Sequence, residues 1–291
     1  MTMTRRAMRL ASIGAMSLAL GATALSTTTM SAGAQSSNKI TVTAGEYFYK
    51  LSGSPKPGNV EIVFDNKGIE IHMVEMLQLK PSVTLKQLKQ SLLSDDESAI
   101  EKLLAGSGNV AGAPELLSEG VATTNITNLK AGRYGMLCFV PAADGTPHIV
   151  HGMVKIVDVK GSKSTQKPPA DGVVDITLGD SGVTLPSTGV PKSGWIKVTN
   201  EASVPRDLIL AKYAGANTDF TSVNAEIDQF FGTGKWTSGS APVVFNGGVG
   251  TLPPNGIGYV EVSSLPSGKW VAVSTGGEDD AAPLHTDFTI N

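Results

Sequence analysis

Ile62-Val-Phe-Asp-Asn66 lays onto Ile196-Lys-Val-Thr-Asn200 at an offset of 134 residues, and an apolar stretch follows each copy. Further along, Leu129-Lys-Ala-Gly-Arg-Tyr134 lays onto Leu265-Pro-Ser-Gly-Lys-Trp270 at an offset of 136. Two anchors at nearly one offset read as an internal duplication. Around them run short alternating stretches, Ile40-Thr-Val-Thr43, Val60-Glu-Ile-Val-Phe64 and Met153-Val-Lys-Ile-Val157 among them, separated by Gly, Pro, Asn and Asp. Such alternation turns one face of a strand to a core and the other to water, so the pattern predicts an all-β protein of sandwich type. Each half also carries a helical insert at the same place, around Leu85 to Leu104 and around Phe220 to Phe231. The polar, Pro-ended segment Lys160-Gly-Ser-Lys-Ser-Thr-Gln-Lys-Pro-Pro169 reads as a linker. The expected division is therefore 35–159, a linker over 160–170, and 171–291.

Residues 1–34 read as a secretory signal peptide. Arg5, Arg6 and Arg9 form the basic start, Leu10 to Leu25 the apolar centre, and Ala32-Gly33-Ala34 the small-residue cleavage site. Gly, Ser and Thr interrupt the apolar run before it could span a bilayer, and no other run is long enough, so no membrane span is expected after the signal. The expected location is secreted, periplasmic or at the cell envelope. Without the leader, 20 basic residues face 26 acidic ones, a charge near −6, and no Lys/Arg block exists that would track nucleic acid. With 41% hydrophobic residues in a chain of 291, a sizeable core can be buried. One Cys and four His exclude a disulfide framework or a Cys-rich zinc module within the chain.

The chemistry-bearing residues cluster in the first half. Leu137-Cys138-Phe-Val-Pro-Ala-Ala-Asp-Gly-Thr-Pro-His148-Ile-Val-His151-Gly-Met153 places nine residues between Cys138 and His148 and four between His148 and Met153, while Asn66-Lys-Gly-Ile-Glu-Ile-His72 supplies an imidazole at the start of a strand. This layout resembles the cupredoxin family of blue copper proteins. The loop is most similar to that of copper nitrite reductases, with a Pro shortly before the His and a Gly before the Met, and it is one residue longer. The resemblance implies two tandem Greek-key β-sandwiches, each with a short helical insert, and one type 1 copper site. In that site Cys138 would be the anionic equatorial ligand, His72 and His148 the neutral ones and Met153 the axial one. His151 competes with His148 as an alternative ligand. A thiolate with two imidazoles and a weak thioether suits both Cu(I) and Cu(II), which is the chemistry of an electron carrier.

The second half lacks this set. At the two offsets His72 falls on Arg206 and Cys138 on Ser274, while His285 has no Met after it, so 171–291 reads as a degenerate copy without ligands. Enzymatic relatives of the fold need more imidazoles than the chain holds. Nitrite reductases place a His directly before the copper Cys, where this chain has Leu137, and a trinuclear cluster exceeds the whole His inventory. The expected protein is thus a non-enzymatic one-electron carrier. Its redox partner would dock near His148, which Phe139, Pro141, Pro147 and Ile149 ring with apolar side chains. The other reading is a metal-free or non-redox binding or structural module of the cell envelope built on the duplicated fold. Three further motifs read more simply: Gly179-Asp-Ser181-Gly182 and Leu185-Pro-Ser-Thr-Gly189 as turns, and Asn125-Ile-Thr127 as a glycosylation sequon by pattern only.

Overall fold

The computed structural model describes residues 38–94, 96, 98–276 and 283–291. The signal reading of residues 1–34 lies outside the described residues. Alternation is strict in β3 (Gly58–Asn66), where Val60, Ile62 and Phe64 are fully buried and the residues between them are not; it breaks in the expected stretch Met153–Val157, where Met153 and Val154 are both buried and Lys155 and Ile156 both half-buried. The first half also holds β1 (Lys39–Gly45), β2 (Phe48–Ser52), β4 (Glu75–Leu79), β5 (Leu104–Asn109), β6 (Ala122–Leu129), β7 (Gly132–Leu137) and β8 (Val154–Val159). In the second half follow β9 (Val174–Leu178), β10 (Val183–Thr184), β11 (Gly194–Asn200), β12 (Arg206–Tyr213), β13 (Val243–Leu252), β14 (Ile257–Val262), β15 (Gly268–Ser274) and β16 (Leu284–Ile290).

The strands form sandwiches. One four-stranded sheet has the order β5-β4-β7-β8 and its counterpart β13-β12-β15-β16; the facing strands run β2-β1-β3-β6 and β10-β9-β11-β14. These orders are the same when each half is counted from its own first strand. The correspondence between the halves extends to single hydrogen bonds. Asn66 Nδ2 donates to Glu70 O at 2.8 Å and Leu117 O at 3.0 Å, and its Oδ1 accepts from Gly68 N at 2.9 Å. Asn200 repeats all three, with Val204 O, Leu252 O and Ala202 N, each at 2.9 Å. Tyr134 and Trp270, the aromatics that close the second anchor, both donate to the carbonyl four residues back, of Lys130 and Pro266.

The two halves share a sheet. β6 and β14 pair antiparallel, Asn125 opposite Val260, so the facing strands of both halves make one continuous eight-stranded sheet. Each of these strands would otherwise be an open edge with unpaired backbone groups. The stretch 160–173 between the halves has no helix or strand, and it is tied to the first half through Ser164 N to Pro57 O and Asn59 Nδ2 to Gln166 O. Asn125, read as a sequon, is buried in the seam and donates to Gly248 O at 2.8 Å, which leaves its amide no room for a glycan.

The helical inserts cover the outer faces of the four-stranded sheets. α1 (Leu85–Leu92) starts at Thr84 with a capping box to Gln87, and buries Leu88 with Leu77, Leu79, Phe139 and Ile149; α2 (Ser98–Glu101) adds Ile100 to the same cluster. α3 (Phe220–Thr233) is capped by Asp219 and ends at Gly234 with φ 73°, burying Phe220, Val223 and Phe230 against Phe245, Val271 and Val273. Each fully buried side chain of this kind contributes about 1.5–3 kcal/mol. The covers therefore anchor the inserts firmly beside the ligand-bearing strands.

Candidate metal centre

His72 stands between β3 and β4, and the Asn66 network builds its approach. Gly68 is required there, because a β-carbon would lie 2.7 Å from His72 Nε2 and 2.4 Å from Glu46 Oε1. The His72 backbone pairs with Leu117 in both directions, at 3.0 and 2.8 Å. This pairing fixes where the imidazole enters the interior. Cys138 and His148 come from one hairpin, in which Ile149 N donates to Cys138 O, His148 N to Val140 O and Met153 N to His148 O, all within 3.0 Å. Pro141 and Pro147 face each other across it, and Thr146 N closes the turn on Asp144 Oδ1 at 2.9 Å.

The donor atoms converge. His72 Nδ1 and His148 Nδ1 are 3.1 Å apart, and Cys138 Sγ lies 3.4 Å from the second and 4.0 Å from the first. A triangle with edges of 3.1, 3.4 and 4.0 Å has a circumradius of about 2.1 Å, within the 2.0–2.3 Å of metal bonds to imidazole nitrogen and thiolate sulfur. A cation at that point would touch all three donors without moving them. All three residues are fully buried. Burial pulls the imidazoles down, His72 to about 4 and His148 to about 3, so both are neutral at physiological pH with lone pairs free to bind. Burial pushes the Cys138 thiol up to about 12, against the opposing pull of the Met73 and Val140 backbone N–H groups and the Tyr49 hydroxyl. A thiol so placed gives up its proton when a cation replaces it. Neutral imidazoles, a concealed sulfur and a metal-sized gap fit copper or another N/S-binding ion.

Met153, the expected axial residue, is fully buried on the same hairpin, and its carbonyl accepts from Cys138 N at 3.3 Å. His151 takes a different position. Its Nε2 lies 2.6 Å from Thr146 Oγ1, its ring stacks on Tyr47 at 4.5 Å, and it stays at the surface outside the donor triangle. Phe139, Pro141, Pro147 and Ile149 are buried, as is His148 itself, so the apolar ring expected around it is interior packing; the exposed apolar residues of the adjoining loops are Ile69, at 75%, and Val150, at 39%. Tyr49, Glu46, Tyr47 and Glu70 were not singled out in the sequence. They reach the centre only through the pairing of β1 with β2 and β3, which brings residues some 25 to 100 positions apart together.

In the second half the corresponding places are filled differently. Arg206 pairs with Leu252 as His72 does with Leu117, and Ser274 ends β15 where Cys138 follows β7; both are buried. His285 stacks on Phe220 at 3.9 Å, and Asp287 accepts from the Tyr213 hydroxyl. His72, Cys138 and His148 form the one His/Cys/carboxylate cluster of metal-binding geometry among the described residues.

No protein-family model matches the chain, and no curated protein does. Among solved structures it is similar to a dithionite-reduced auracyanin from Roseiflexus castenholzii at 23% identity, covering 43% of this chain and 98% of that one with a TM-score of 0.31. It is similar also to a multicopper oxidase at 12% identity, covering 87% and 88%, TM-score 0.25. A copper-containing nitrite reductase from Thermus scotoductus matches at 11% identity, covering 81% and 56%, TM-score 0.19. Likenesses of this grade carry no weight for chemistry. The donor triangle does.

Proposed function

We propose that the chain is an exported copper protein that carries single electrons, with Cys138, His72 and His148 as the equatorial donors and Met153 as the axial one. The observation that carries this reading is the donor triangle, whose centre lies at metal-bond distance from one sulfur and two nitrogens. Copper in such a set exchanges one electron with little change in preferred ligand positions. The protein's part is to hold those positions. The hairpin hydrogen bonds fix Cys138 and His148 relative to each other, the Leu117 pairing fixes His72, and the surrounding core keeps water away from the sulfur.

A carrier rather than an enzyme is supported by what the other imidazoles do. His151 is engaged by Thr146, Asp144 and Tyr47, and His285 by Phe220, and among the described residues neither belongs to a second group of metal donors. Docking of a redox partner would use the surface over His148 where Ile69 and Val150 are exposed. The test is reconstitution with Cu(II): an intense visible thiolate-to-copper band is expected, and Cys138→Ser abolishes it. A protein that binds copper without that band, or whose spectrum survives the substitution, leaves the duplicated sandwiches as a binding module of the cell envelope instead.

A further inference from the structure

Neither imidazole donor ends at its metal-facing nitrogen. His148 Nε2 lies 2.9 Å from Glu70 Oε2, an ion-pair contact without hydrogen-bond alignment, and both atoms are sealed from solvent with no hydrogen-bond partner. His72 Nε2 lies 3.9 Å from Glu46 Oε1. The same Glu46 oxygen accepts the backbone N–H of Ile69 at 2.5 Å and of Glu70 at 3.3 Å, so it pins the loop that carries Glu70. Tyr47 completes the arrangement. Its hydroxyl lies beside Glu70, its ring meets the His148 ring edge-on at 5.1 Å, and its backbone sits at φ 65°, a left-handed conformation that a bulky residue adopts only when the surroundings impose it. The sandwich has no need of a strained tyrosine at the β1–β2 turn, where Gly or Asn would serve. Its strain places the ring and hydroxyl over His148.

Resting on the copper reading, we propose that Glu70, held by Tyr47 and the Glu46-pinned loop, is a positioning residue for His148: it fixes the tautomer and orientation of the ring and biases the centre toward the more highly charged metal state. The chemistry is that of a carboxylate behind a metal-bound imidazole. With a metal held at Nδ1, Nε2 would carry the proton and face the carboxylate 2.9 Å away, whose charge would strengthen the ring as a donor. An anionic carboxylate close to the centre also favours Cu(II) over Cu(I) by Coulomb attraction in a dry site. Glu70 thus touches His148 on the side away from the metal, so its influence passes through the imidazole.

The experiment uses the full chain loaded with Cu(II) and with Cu(I), and compares Glu70→Gln, which keeps the shape and removes the charge. The Cu(II) dissociation constant is expected to rise about 10–100-fold. That for Cu(I) should change less than threefold, and each tenfold loss of Cu(II) preference raises the reduction potential by about 59 mV. Melting of the metal-free protein reports any purely structural effect. Tyr47→Phe is the second variant: it removes the hydroxyl dipole beside Glu70 that tempers its charge, so the potential moves downward. If wild-type protein forms no thiolate-copper band, the copper reading falls and this inference with it. If the band forms but Glu70→Gln leaves the Cu(II)/Cu(I) ratio within threefold, or both variants move the potential the same way, the inference alone is overturned.

Discussion

Gly234 offers the sharpest test of how the ligand hairpin is held. It closes α3 at φ 73°, and its α-carbon abuts the hairpin turn of the first half: an added β-carbon would lie 1.9 Å from Ala142 O, 2.9 Å from Ala142 C and 3.1 Å from Gly145 N. These are backbone atoms that no rotamer change can move. Gly234→Ala therefore incurs about 1–2 kcal/mol for a left-handed L-residue. Relieving the overlap means shifting the helix end or the turn by more than about 1 Å, at a further cost of about 1–3 kcal/mol. Ala142 and Gly145 belong to the turn that joins the Cys138 and His148 arms, so a shift of that size alters the 3.4 Å separation of Sγ from Nδ1. Urea unfolding of the metal-free protein should show a loss of about 2–5 kcal/mol. Dissociation of Cu(II), followed by decay of the visible band against a chelator, should be at least about tenfold faster. Gly232→Ala is the control, since its β-carbon meets nothing within 4 Å, and neither observable should worsen. A variant at 234 that loses stability yet holds copper with an unchanged band and rate would refute the idea that α3 braces the centre.

Two further outcomes are expected. Asn66→Ala and Asn200→Ala each delete three equivalent hydrogen bonds and should each cost about 2–4 kcal/mol in urea unfolding; only Asn66→Ala should also weaken Cu(II) binding in a chelator competition, because only its loop leads to a metal donor. Stability should depend on the carboxyls of Glu75, Glu115 and Asp207, the first and last half-buried and Glu115 buried, which line a cavity of about 260 Å³ between the halves. Burial raises Glu75 to about 7 and Asp207 to about 6, and holds Glu115 well above its ordinary range. Through these raised carboxyls the folded protein holds protons that the unfolded chain has lost above about pH 4.5, so their contribution to stability falls as pH rises toward 7 and beyond, while the lowered His72 and His148 contribute in the opposite direction up to about pH 6.5. Relative to wild type, Glu75→Gln should gain about 1–3 kcal/mol in stability between pH 5 and pH 8; a difference between variant and wild type that is the same at the two pH values would contradict this.

How much of this was legible in the sequence depended on the range of the interaction. The paired anchors lie on Asn66 and Asn200 because a side chain that bonds two residues ahead and four residues ahead leaves a local signature, and the alternation of Val60, Ile62 and Phe64 is equally local. The spacing from Cys138 to His148 was informative because a hairpin turns distance along the chain into proximity. Partners contributed by other strands left no such trace. Glu70 and Tyr47 are ordinary loop residues until the pairing of β1 with β3 sets them over His148. Phe139 and Ile149 read as apolar, but which element would cover them was not written beside them: α1 and α2 cover both, and Phe139 also borders the cavity between the halves. The shared sheet was hidden for the same reason, since β6 and β14 have the alternation of any half-buried strand and nothing in it says that they pair with each other.

The half without ligands nevertheless touches both sources of the donors. β13 bonds to the 113–118 segment through Gly247 N to Leu116 O and Ser118 N to Phe245 O, and that segment is the one whose Leu117 pins His72. The end of α3 meets the turn between Cys138 and His148. Between these two contacts β14 completes the sheet on which β3 and β6 lie. With Arg206 and Ser274 at the positions of His72 and Cys138, the second copy cannot offer the same donors, yet its strands and helix are where the first copy has open edges and an unsupported turn. A donor triangle accurate to a few tenths of an ångström needs rigid backing on every side from which a ligand arrives. A second half of the same strand order supplies that backing, and Arg206 and Ser274 at its corresponding places leave its strands and helix in position.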